Sequence, residues 1–179
     1  MSDPLTKYAR PERERRFVLA AVPGDATDAR EIVDRYVIGS RLRVRSVTTA
    51  AGTTHKLGHK VRPDPDDPGL VMHTSMYLSP AEFEVLAALP ANVLQKTRRS
   101  LRHGRPVMSV DEFHDVLAGL ITAEVDFPDD TQMRAFVPPD LCVAEVSRDE
   151  RFTGGRLATT SRAELARALE AINRLHLPS

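Results

Sequence analysis

The stretch from Glu12 to Leu19 constrains the fold of this chain most, because charged residues run directly into Phe17, Val18 and Leu19. Aromatic and β-branched residues favour a strand. In a strand, Glu12, Glu14 and Arg16 would share one face, at roughly 6.5–7 Å spacing. Two such carboxylates suit a hard divalent cation, and a guanidinium beside them suits an anion. The alternative is an edge strand with a solvated charged face.

Other segments repeat this pattern of ionisable residues on one strand face and apolar residues on the other. Neighbouring guanidinium groups repel one another unless an anion or carboxylates face them. The basic residues are Arg41, Arg43 and Arg45 in the segment 41–47, Lys56, Lys60 and Arg62 in 55–62, and Lys96 and Arg98 in 94–101. The acidic residues are Asp111 in the segment 106–113, Glu124 and Asp126 in 120–127, and Glu145 in 141–146.

Length and composition indicate a soluble protein of one domain. Lys plus Arg and Asp plus Glu number 25 each among 179 residues, which argues against a general nucleic-acid coat protein. The single cysteine, Cys142, excludes an intramolecular disulfide and a cysteine-based zinc cluster. No apolar run approaches the ~20 residues of a membrane span, and the N-terminus lacks a signal-peptide pattern. We expect a cytoplasmic monomer or homodimer that binds neither nucleic acid nor membrane.

Three helices are predicted between and after the strands. One is a short helix from Asp25 to Val33. Ser79 as N-cap, followed by proline, predicts a second helix to Leu89. Ser161 caps a third helix, 161–176. The apolar stripes of the second and third helices are predicted to be Phe83, Leu86 and Leu89, and Leu165, Leu169, Ile172 and Leu175, respectively.

About eight strands with short links predict an α+β fold that is mainly antiparallel β. Charged positions lie in the middle of these strands, so the economical arrangement is an eight-stranded closed barrel with a charged interior and flanking helices. Clustered cations require a polyanion, and clustered carboxylates require cations. A metal-chelated polyphosphate satisfies both sets. The whole chain, 1–179, is predicted to be one domain with a core of about 10–158.

An ordered series of short motifs resembles the CYTH domain, the triphosphate tunnel metalloenzyme family. The family's N-terminal signature is Glu-x-Glu-x-Lys, and Glu12-Arg-Glu14-Arg-Arg16 stands in its place. No single motif is specific, but their order and spacing agree over most of the chain. The further motifs are Arg43-Val44-Arg45, Leu57-Gly58-His59-Lys60, Lys96-Thr97-Arg98, Val110-Asp111-Glu112-Phe113, Ala123-Glu124-Val125-Asp126-Phe127 and Glu145-Val146-Ser147-Arg148-Asp149.

The resemblance implies a tunnel of eight antiparallel strands that hydrolyses inorganic tripolyphosphate, thiamine triphosphate or nucleoside triphosphates, or cyclises ATP. It implies that Mg²⁺ or Mn²⁺ is the cofactor, that Lys96 orients the attacking water, and that Glu14 is essential to catalysis. The implied metal ligands are Glu12, Glu14, Asp111, Glu124, Asp126 and Glu145. The implied phosphate-binding residues are Arg16, Arg43, Arg45, Lys60, Lys96 and Arg98.

The chain departs from the family pattern at three places. Arg16 replaces the signature lysine, His73, Thr74 and Ser75 stand where the family has glutamate, and the usual tryptophan before the Asp111 segment is absent. The favoured hypothesis is a metal-dependent triphosphatase for inorganic tripolyphosphate. The alternatives are a non-catalytic module that binds polyphosphate or a phosphorylated ligand, and a class IV-type adenylate cyclase.

Overall fold

The part of the chain that the computed structural model describes is residues 4–64, 67, 69–102 and 106–176, and it contains nine strands, four α-helices and two short 3₁₀ helices at Asp115–Leu117 and Glu150–Phe152. The outermost residues of the predicted domain, 1–3 and 177–179, lie outside this part. The strands are β1 (Arg10–Leu19), β2 (Thr27–Val37), β3 (Leu42–Thr49), β4 (Gly52–Val61), β5 (Leu70–Leu78), β6 (Ala91–Arg102), β7 (Val107–Phe113), β8 (Ile121–Phe127) and β9 (Cys142–Glu145). The helices are α1 (Pro80–Ala87), α2 (Asp130–Ala135), α3 (Gly154–Leu157) and α4 (Arg162–His176).

Eight of the strands close into an antiparallel barrel. The sheet order is β5-β4-β3-β2-β6-β7-β8-β1-β9, and β1 pairs back with β5 to complete the ring. The first part of β1 joins β5, and its later part joins β8. Short β9 attaches to the end of β1 beside Phe17 and Val18. The closed eight-stranded barrel predicted from the sequence is therefore confirmed, with one additional strand.

The segment predicted as a short helix, 25–33, is mostly strand β2. Both edges of β2 are paired, with β3 on one side and β6 on the other. The acidic and alanine-containing sequence Asp25–Ala29 suggested a helix, but pairing along two neighbours overrides this local preference. Asp34 and Tyr36 therefore lie on the face of β2 that is turned toward the barrel interior.

One end of the barrel is filled by apolar side chains. Val18, Leu94 and Phe113 occupy the same faces of β1, β6 and β7 as the charged residues of those strands, and they are buried. They pack with Phe152, Leu157, Leu165 and Ile172 from the C-terminal part of the chain. The C-terminal segments therefore plug this end, so that the charged part of the interior has an apolar floor.

A second apolar cluster lies on the outer side of the wall. It contains Phe17, Leu101, Met108 and Val125, and Met133 of α2 and Phe136 pack against it. Adjacent residues on the same strands point inward, so the alternation of the sequence separates an apolar outer layer from a charged interior.

The helices differ in how deeply they pack. Helix α1 begins after the N-cap Ser79, as predicted, and Ser79 forms a capping box with Glu82, but the helix ends at Ala87 and buries none of its residues. The predicted buried stripe on α1 is thus wrong, because this helix lies on the open surface of β3–β5, where Phe83 stacks on His55. None of the described helices is long and apolar enough to span a membrane.

Helix α4 buries Leu165, Ala168 and Ile172, while Leu169 is partly buried against the same cluster. This agrees with the predicted apolar face of the C-terminal helix. The side chain of Leu175 lies outside the described residues.

Candidate functional site

The interior of the barrel holds a cavity of about 430 Å³ above the apolar floor. Eight basic and five acidic residues line it, so the described lining has an excess of three formal positive charges. The basic residues are Arg16, Arg41, Arg43, Arg45, Lys60, Arg62, Lys96 and Arg98. The acidic residues are Glu12, Glu14, Asp111, Glu124 and Asp126.

The structure brings together every predicted phosphate-binding residue and five of the six predicted metal ligands. Glu145 is the exception, and its prediction as a metal ligand is corrected. Glu145 lies opposite Phe17, whose side chain belongs to the outer apolar cluster. Its carboxylate accepts hydrogen bonds from Arg15 Nε at 3.0 Å and Nη2 at 2.6 Å on the outside of the barrel.

One wall of the cavity is a line of ion pairs between β6, β7 and β8. Asp111 accepts a 2.6 Å hydrogen bond from Lys96 and two from Arg98, at 2.6 and 2.7 Å. Arg98 also donates to Glu124 at 3.0 Å. The strand register produces this line, because Arg98 lies directly opposite Asp111. Lys96 and Arg98 are therefore fixed in orientation before any ligand enters.

The alternation of charge continues from β8 through β1 and reaches β4. Arg16 Nη2 lies 3.0 Å from Glu14 and 2.8 Å from Glu124, and so links β1 to the neighbouring strand β8. Glu14 is also contacted by Lys60 at 3.3 Å and by Arg62 at 3.1 Å. Lys60 continues to Glu12 at 3.1 Å. Arg16 thus occupies the position of the signature lysine with a two-carboxylate contact.

Asp34 is a site residue that the sequence analysis missed. Its side chain has no exposure and accepts hydrogen bonds from Arg45 Nε at 2.6 Å and Nη2 at 2.7 Å. Arg43 Nε lies 3.5 Å from the same carboxylate. Asp34 thereby holds the two guanidinium groups of β3, which are both in the cavity lining. The alternation of Ile32, Asp34 and Tyr36 was the available sequence signal, but the predicted helix concealed it.

The charges in the site alter the pKa values of several groups. Burial lowers the pKa of Lys96, and the charge of Asp111 only partly offsets this. Burial would raise the pKa of Glu12, but its hydrogen bond to His73 and the nearby Lys60 lower it to about 2. Burial raises the pKa of Tyr36 to about 12, with a contribution from Asp34. These shifts have separate causes in the low-dielectric interior and in specific neighbours.

Asp126 differs from the other predicted ligands because it has no ion pair within the described part of the chain. Burial, together with the negative charges of Glu124, Glu14 and Glu12, raises its pKa to about 6. Glu14 and Asp126 lie directly opposite each other on β1 and β8. Mutual repulsion of close carboxylates is relieved when a cation binds between them.

These carboxylates fit the oxygen-ligand chemistry of Mg²⁺ or Mn²⁺, the cofactors that the family resemblance implies. Among the described residues, however, no three acidic, histidine or cysteine side chains are already grouped to hold a metal ion. Glu12, Glu14 and Glu124 are directed at basic side chains instead. The donor set is therefore suitable in its chemistry, and binding of a metal ion would require some of these ion pairs to open.

Two solved structures of NE1496 are similar to this fold. One, described as the hypothetical protein NE1496, is 24% identical, with 84% of this chain and 99% of that chain covered and a TM-score of 0.59. The other, described as the inorganic triphosphatase NE1496, is 23% identical, with 83% and 95% covered and a TM-score of 0.57. At these identities the likeness shows a shared fold. No protein-family model and no curated protein matches the chain.

The fold predicted from the motif resemblance is thus present: an antiparallel barrel closed by the pairing of β1 with β5, with Glu12, Glu14 and Arg16 inside it. The plug at one end and the charged cavity above it complete the tunnel architecture. The chain therefore shares the closed antiparallel barrel fold of the two NE1496 structures, which is the fold that the motif resemblance implies.

Proposed function

We propose that the protein is a metal-dependent triphosphatase whose substrate is inorganic tripolyphosphate. The observation that carries this proposal is the cavity itself, in which eight basic side chains line a space of about 430 Å³ beside five carboxylates. A linear triphosphate is a compact polyanion, and an enclosed cluster of cations favours it strongly over singly charged solutes. The fold shared with NE1496, described as an inorganic triphosphatase, agrees with this substrate class.

The basic residues would bind the phosphate oxygens. Arg43 and Arg45 are oriented by Asp34, and Arg98 is oriented by Asp111, so little side-chain freedom remains to be lost on binding. Arg16 and Lys60 complete the cationic lining near the carboxylates. Fixed cations around the transferring phosphoryl group stabilise its charge in the transition state, which is the main source of catalysis in phosphoryl transfer.

Lys96 would hold the attacking water. Its ammonium group is almost completely buried and is fixed by Asp111 at 2.6 Å, which leaves further N–H donors for a water oxygen. The water oxygen forms a bond to the terminal phosphorus, and the bond from that phosphorus to the bridging oxygen breaks, with its electron pair remaining on the diphosphate. The attacking water releases a proton to solvent, and orthophosphate and diphosphate leave. A lysine that is held in place lowers the entropic cost of this alignment.

Glu14, Glu124 and Asp126 would hold the Mg²⁺ or Mn²⁺ ion, with Glu12 nearby. When bound, such a cation neutralises the charge on the phosphate oxygens as a Lewis acid. To bind it, Glu14 and Glu124 would give up part of their contact with Arg16, which would then be available for a phosphate oxygen. Exchange between ion pairs therefore links metal entry to substrate entry at Arg16.

A second candidate function is a receptor that binds polyphosphate without hydrolysing it. The observation that favours it is the ion pairing of Glu12, Glu14 and Glu124 with basic side chains, which already neutralises three of the carboxylates in the cavity. Such pairing stabilises an anion-binding tunnel in the absence of metal. Adenylate cyclase activity remains an alternative that formation of cyclic AMP from ATP would reveal.

Calorimetric titration with tripolyphosphate, followed by an assay of the same samples for orthophosphate, distinguishes these functions. We expect binding with Mg²⁺ or Mn²⁺ present, accompanied by release of orthophosphate, and much weaker binding of orthophosphate alone. Binding without turnover in either metal would support the receptor instead. If tripolyphosphate does not bind under any of these conditions, both candidates are wrong.

A further inference from the structure

His73 is a cavity residue whose ring is fixed on one side and free on the other. His73 Nδ1 lies 2.7 Å from Glu12 Oε1, which fixes the orientation of the imidazole. His73 Nε2 is buried and has no hydrogen-bond partner among the residues that the structure describes. A buried polar atom without a partner is costly, so its position calls for an explanation. His73 lies in the cavity lining, on the strand where the family pattern has glutamate.

Arg43 supplies a second atom of this kind beside His73. Its Nε is also buried and makes no hydrogen bond within the described part of the chain, although Asp34 lies 3.5 Å away. Both unpartnered atoms adjoin Gly58 on β4. A Cβ at this glycine would lie 3.2 Å from His73 Nε2 and 3.7 Å from Arg43 Nε. The two orphan nitrogens therefore flank one small space.

Gly58 keeps that space open. It lies in the middle of β4, opposite Arg43 on β3 and Ser75 on β5. Glycine weakens a strand, and its use there often marks a close approach to another group. Its neighbours on the strand carry large side chains, so the absence of a Cβ at this one position creates a recess in the cavity wall.

The recess suits an oxygen that accepts one hydrogen bond from Arg43 Nε and shares a proton with His73 Nε2 in a second hydrogen bond. Arg43 Nε is always a donor. With Nδ1 committed to Glu12, Nε2 is the ring nitrogen of His73 that is left for a hydrogen bond to a phosphate oxygen. A terminal phosphate can carry a proton near neutral pH, since the second pKa of a phosphate group is about 6. An internal phosphate of a linear chain has no corresponding proton.

We propose that His73 Nε2 and Arg43 Nε, on either side of Gly58, form a subsite for the free terminal phosphate of a linear polyphosphate. This inference rests on the proposed function and adds a specificity determinant to it. The subsite recognises the end of the polyphosphate and not the number of phosphates in it. Replacement of the family's glutamate by His73 removes a negative charge that would repel this group.

Trimetaphosphate provides the test, because its ring contains three phosphates but no terminal one. We would measure the dissociation constants of tripolyphosphate and trimetaphosphate for the wild type, His73→Leu and Gly58→Ala, in EDTA and again with Mg²⁺. His59→Leu is the matched control, since His59 lies on β4 outside the cavity lining. Circular dichroism and thermal melting verify that each variant folds.

We expect both cavity variants to weaken tripolyphosphate binding by about 10- to 100-fold, as for loss of one hydrogen bond to a charged group. Trimetaphosphate binding should change by less than about 3-fold, because it does not use the subsite. If folded His73→Leu or folded Gly58→Ala has the same ratio of tripolyphosphate affinity to trimetaphosphate affinity as the wild type, the subsite is contradicted. The proposed function would still stand. Failure of the wild type to bind tripolyphosphate would instead remove the proposed function. If one variant does not fold, the other decides.

Discussion

Asp34 accepts two hydrogen bonds from the guanidinium group of Arg45, at 2.6 and 2.7 Å, at a position with no solvent exposure. This bidentate pair is the foundation of the cationic wall on β3, because Arg43 also lies beside the same carboxylate. The attraction of the two arginines lowers the pKa of Asp34 to about 2 in spite of burial, which alone would raise it. The pair therefore stabilises the fold, and Asp34 also orients Arg43 and Arg45, two of the proposed phosphate-binding residues.

Asp34→Asn should destabilise the protein at neutral pH. It removes the negative charge but keeps the shape, so Arg45 is left buried without a carboxylate partner, at a cost of about 3–5 kcal/mol. Urea unfolding measures this difference. Glu112→Gln is the control, because Glu112 pairs with Arg99 at the surface and should contribute no more than about 1 kcal/mol.

The pH dependence of the difference in the free energy of unfolding between wild type and Asp34→Asn tests whether the charge of Asp34 causes that difference. The pKa of Asp34 is lower in the folded protein than its ordinary value of 3.8, so its stabilisation is fully present above that value. As the pH falls toward 2, the carboxyl becomes protonated and the advantage of wild type over Asp34→Asn should shrink. A difference that stays constant down to pH 2 would show that the charge of Asp34 is not the cause.

Glu14→Gln should abolish metal-dependent hydrolysis while the protein remains folded. Glutamine retains the size of the side chain but cannot neutralise a cation, and Arg16 keeps its contact with Glu124. The expected loss is at least ~100-fold, since even outer-shell changes at metal sites cost about 10- to 100-fold. The measurement is orthophosphate release from tripolyphosphate, with circular dichroism as the test of folding.

Glu145→Gln is the matched control for Glu14. Both residues stand in the predicted set of metal ligands, but Glu145 pairs with Arg15 outside the barrel. Its substitution should leave the rate within about 2-fold of wild type, as for an exposed ion pair worth little energy. Equal losses in the two variants would contradict the assignment of the cavity as the metal site.

Lys96→Ala should lower turnover more than it weakens binding. Its ammonium group is proposed to orient water in the transition state, whereas tripolyphosphate retains five other basic contacts: Arg16, Arg43, Arg45, Lys60 and Arg98. Removal of one fixed catalytic donor typically lowers kcat by about 100- to 1,000-fold. Steady-state kinetics and calorimetry give the two effects separately, and Arg99→Ala, on the outer side of β6, is the control. A fall in affinity with an unchanged kcat would remove the proposed role.

Gly154→Ala and Gly155→Ala, at the cavity floor, should differ in their effects on the free energy of unfolding. A Cβ at Gly154 would overlap Tyr36 Oη, whereas one at Gly155 would be in ordinary contact with the Tyr36 ring at 3.7 Å. Overpacking at Gly154 is expected to cost about 1–3 kcal/mol. Gly155→Ala, within helix α3, should be neutral or slightly stabilising. Thermal and urea unfolding compare the two, and equal effects would show that Tyr36 does not restrict Gly154.

The strand faces of the site were predictable because they depend only on a period of two. Glu14 and Arg16 share a face in any strand, so their presence inside the closed barrel follows once the barrel is assumed. Asp111 and Arg98 also reach the cavity, but the bidentate contact between them depends on the register of β6 and β7, which no local pattern encodes. The sequence therefore predicted the members of the site better than their partners.

Two errors have a common cause in non-local pairing. Glu145 faces outward because β9 is only four residues long and pairs with β1 so that Glu145 lies opposite Phe17. Asp34 faces inward because β2 is paired on both edges. Residues directly opposite each other in a sheet point to the same side, so either orientation follows only from the register. The motif series supplied the order of the strands but not this information.

Orthophosphate release from tripolyphosphate, measured with Mg²⁺, with Mn²⁺ and with EDTA, and repeated with ATP and thiamine triphosphate, decides whether the protein is a metal-dependent triphosphatase. We expect rapid release from tripolyphosphate in at least one of the two metals, little release in EDTA, and slower release from the two esterified substrates. Equal rates in metal and EDTA would contradict metal dependence. Absence of release from all three substrates, with tripolyphosphate still bound, would show that the tunnel is a receptor and not a triphosphatase.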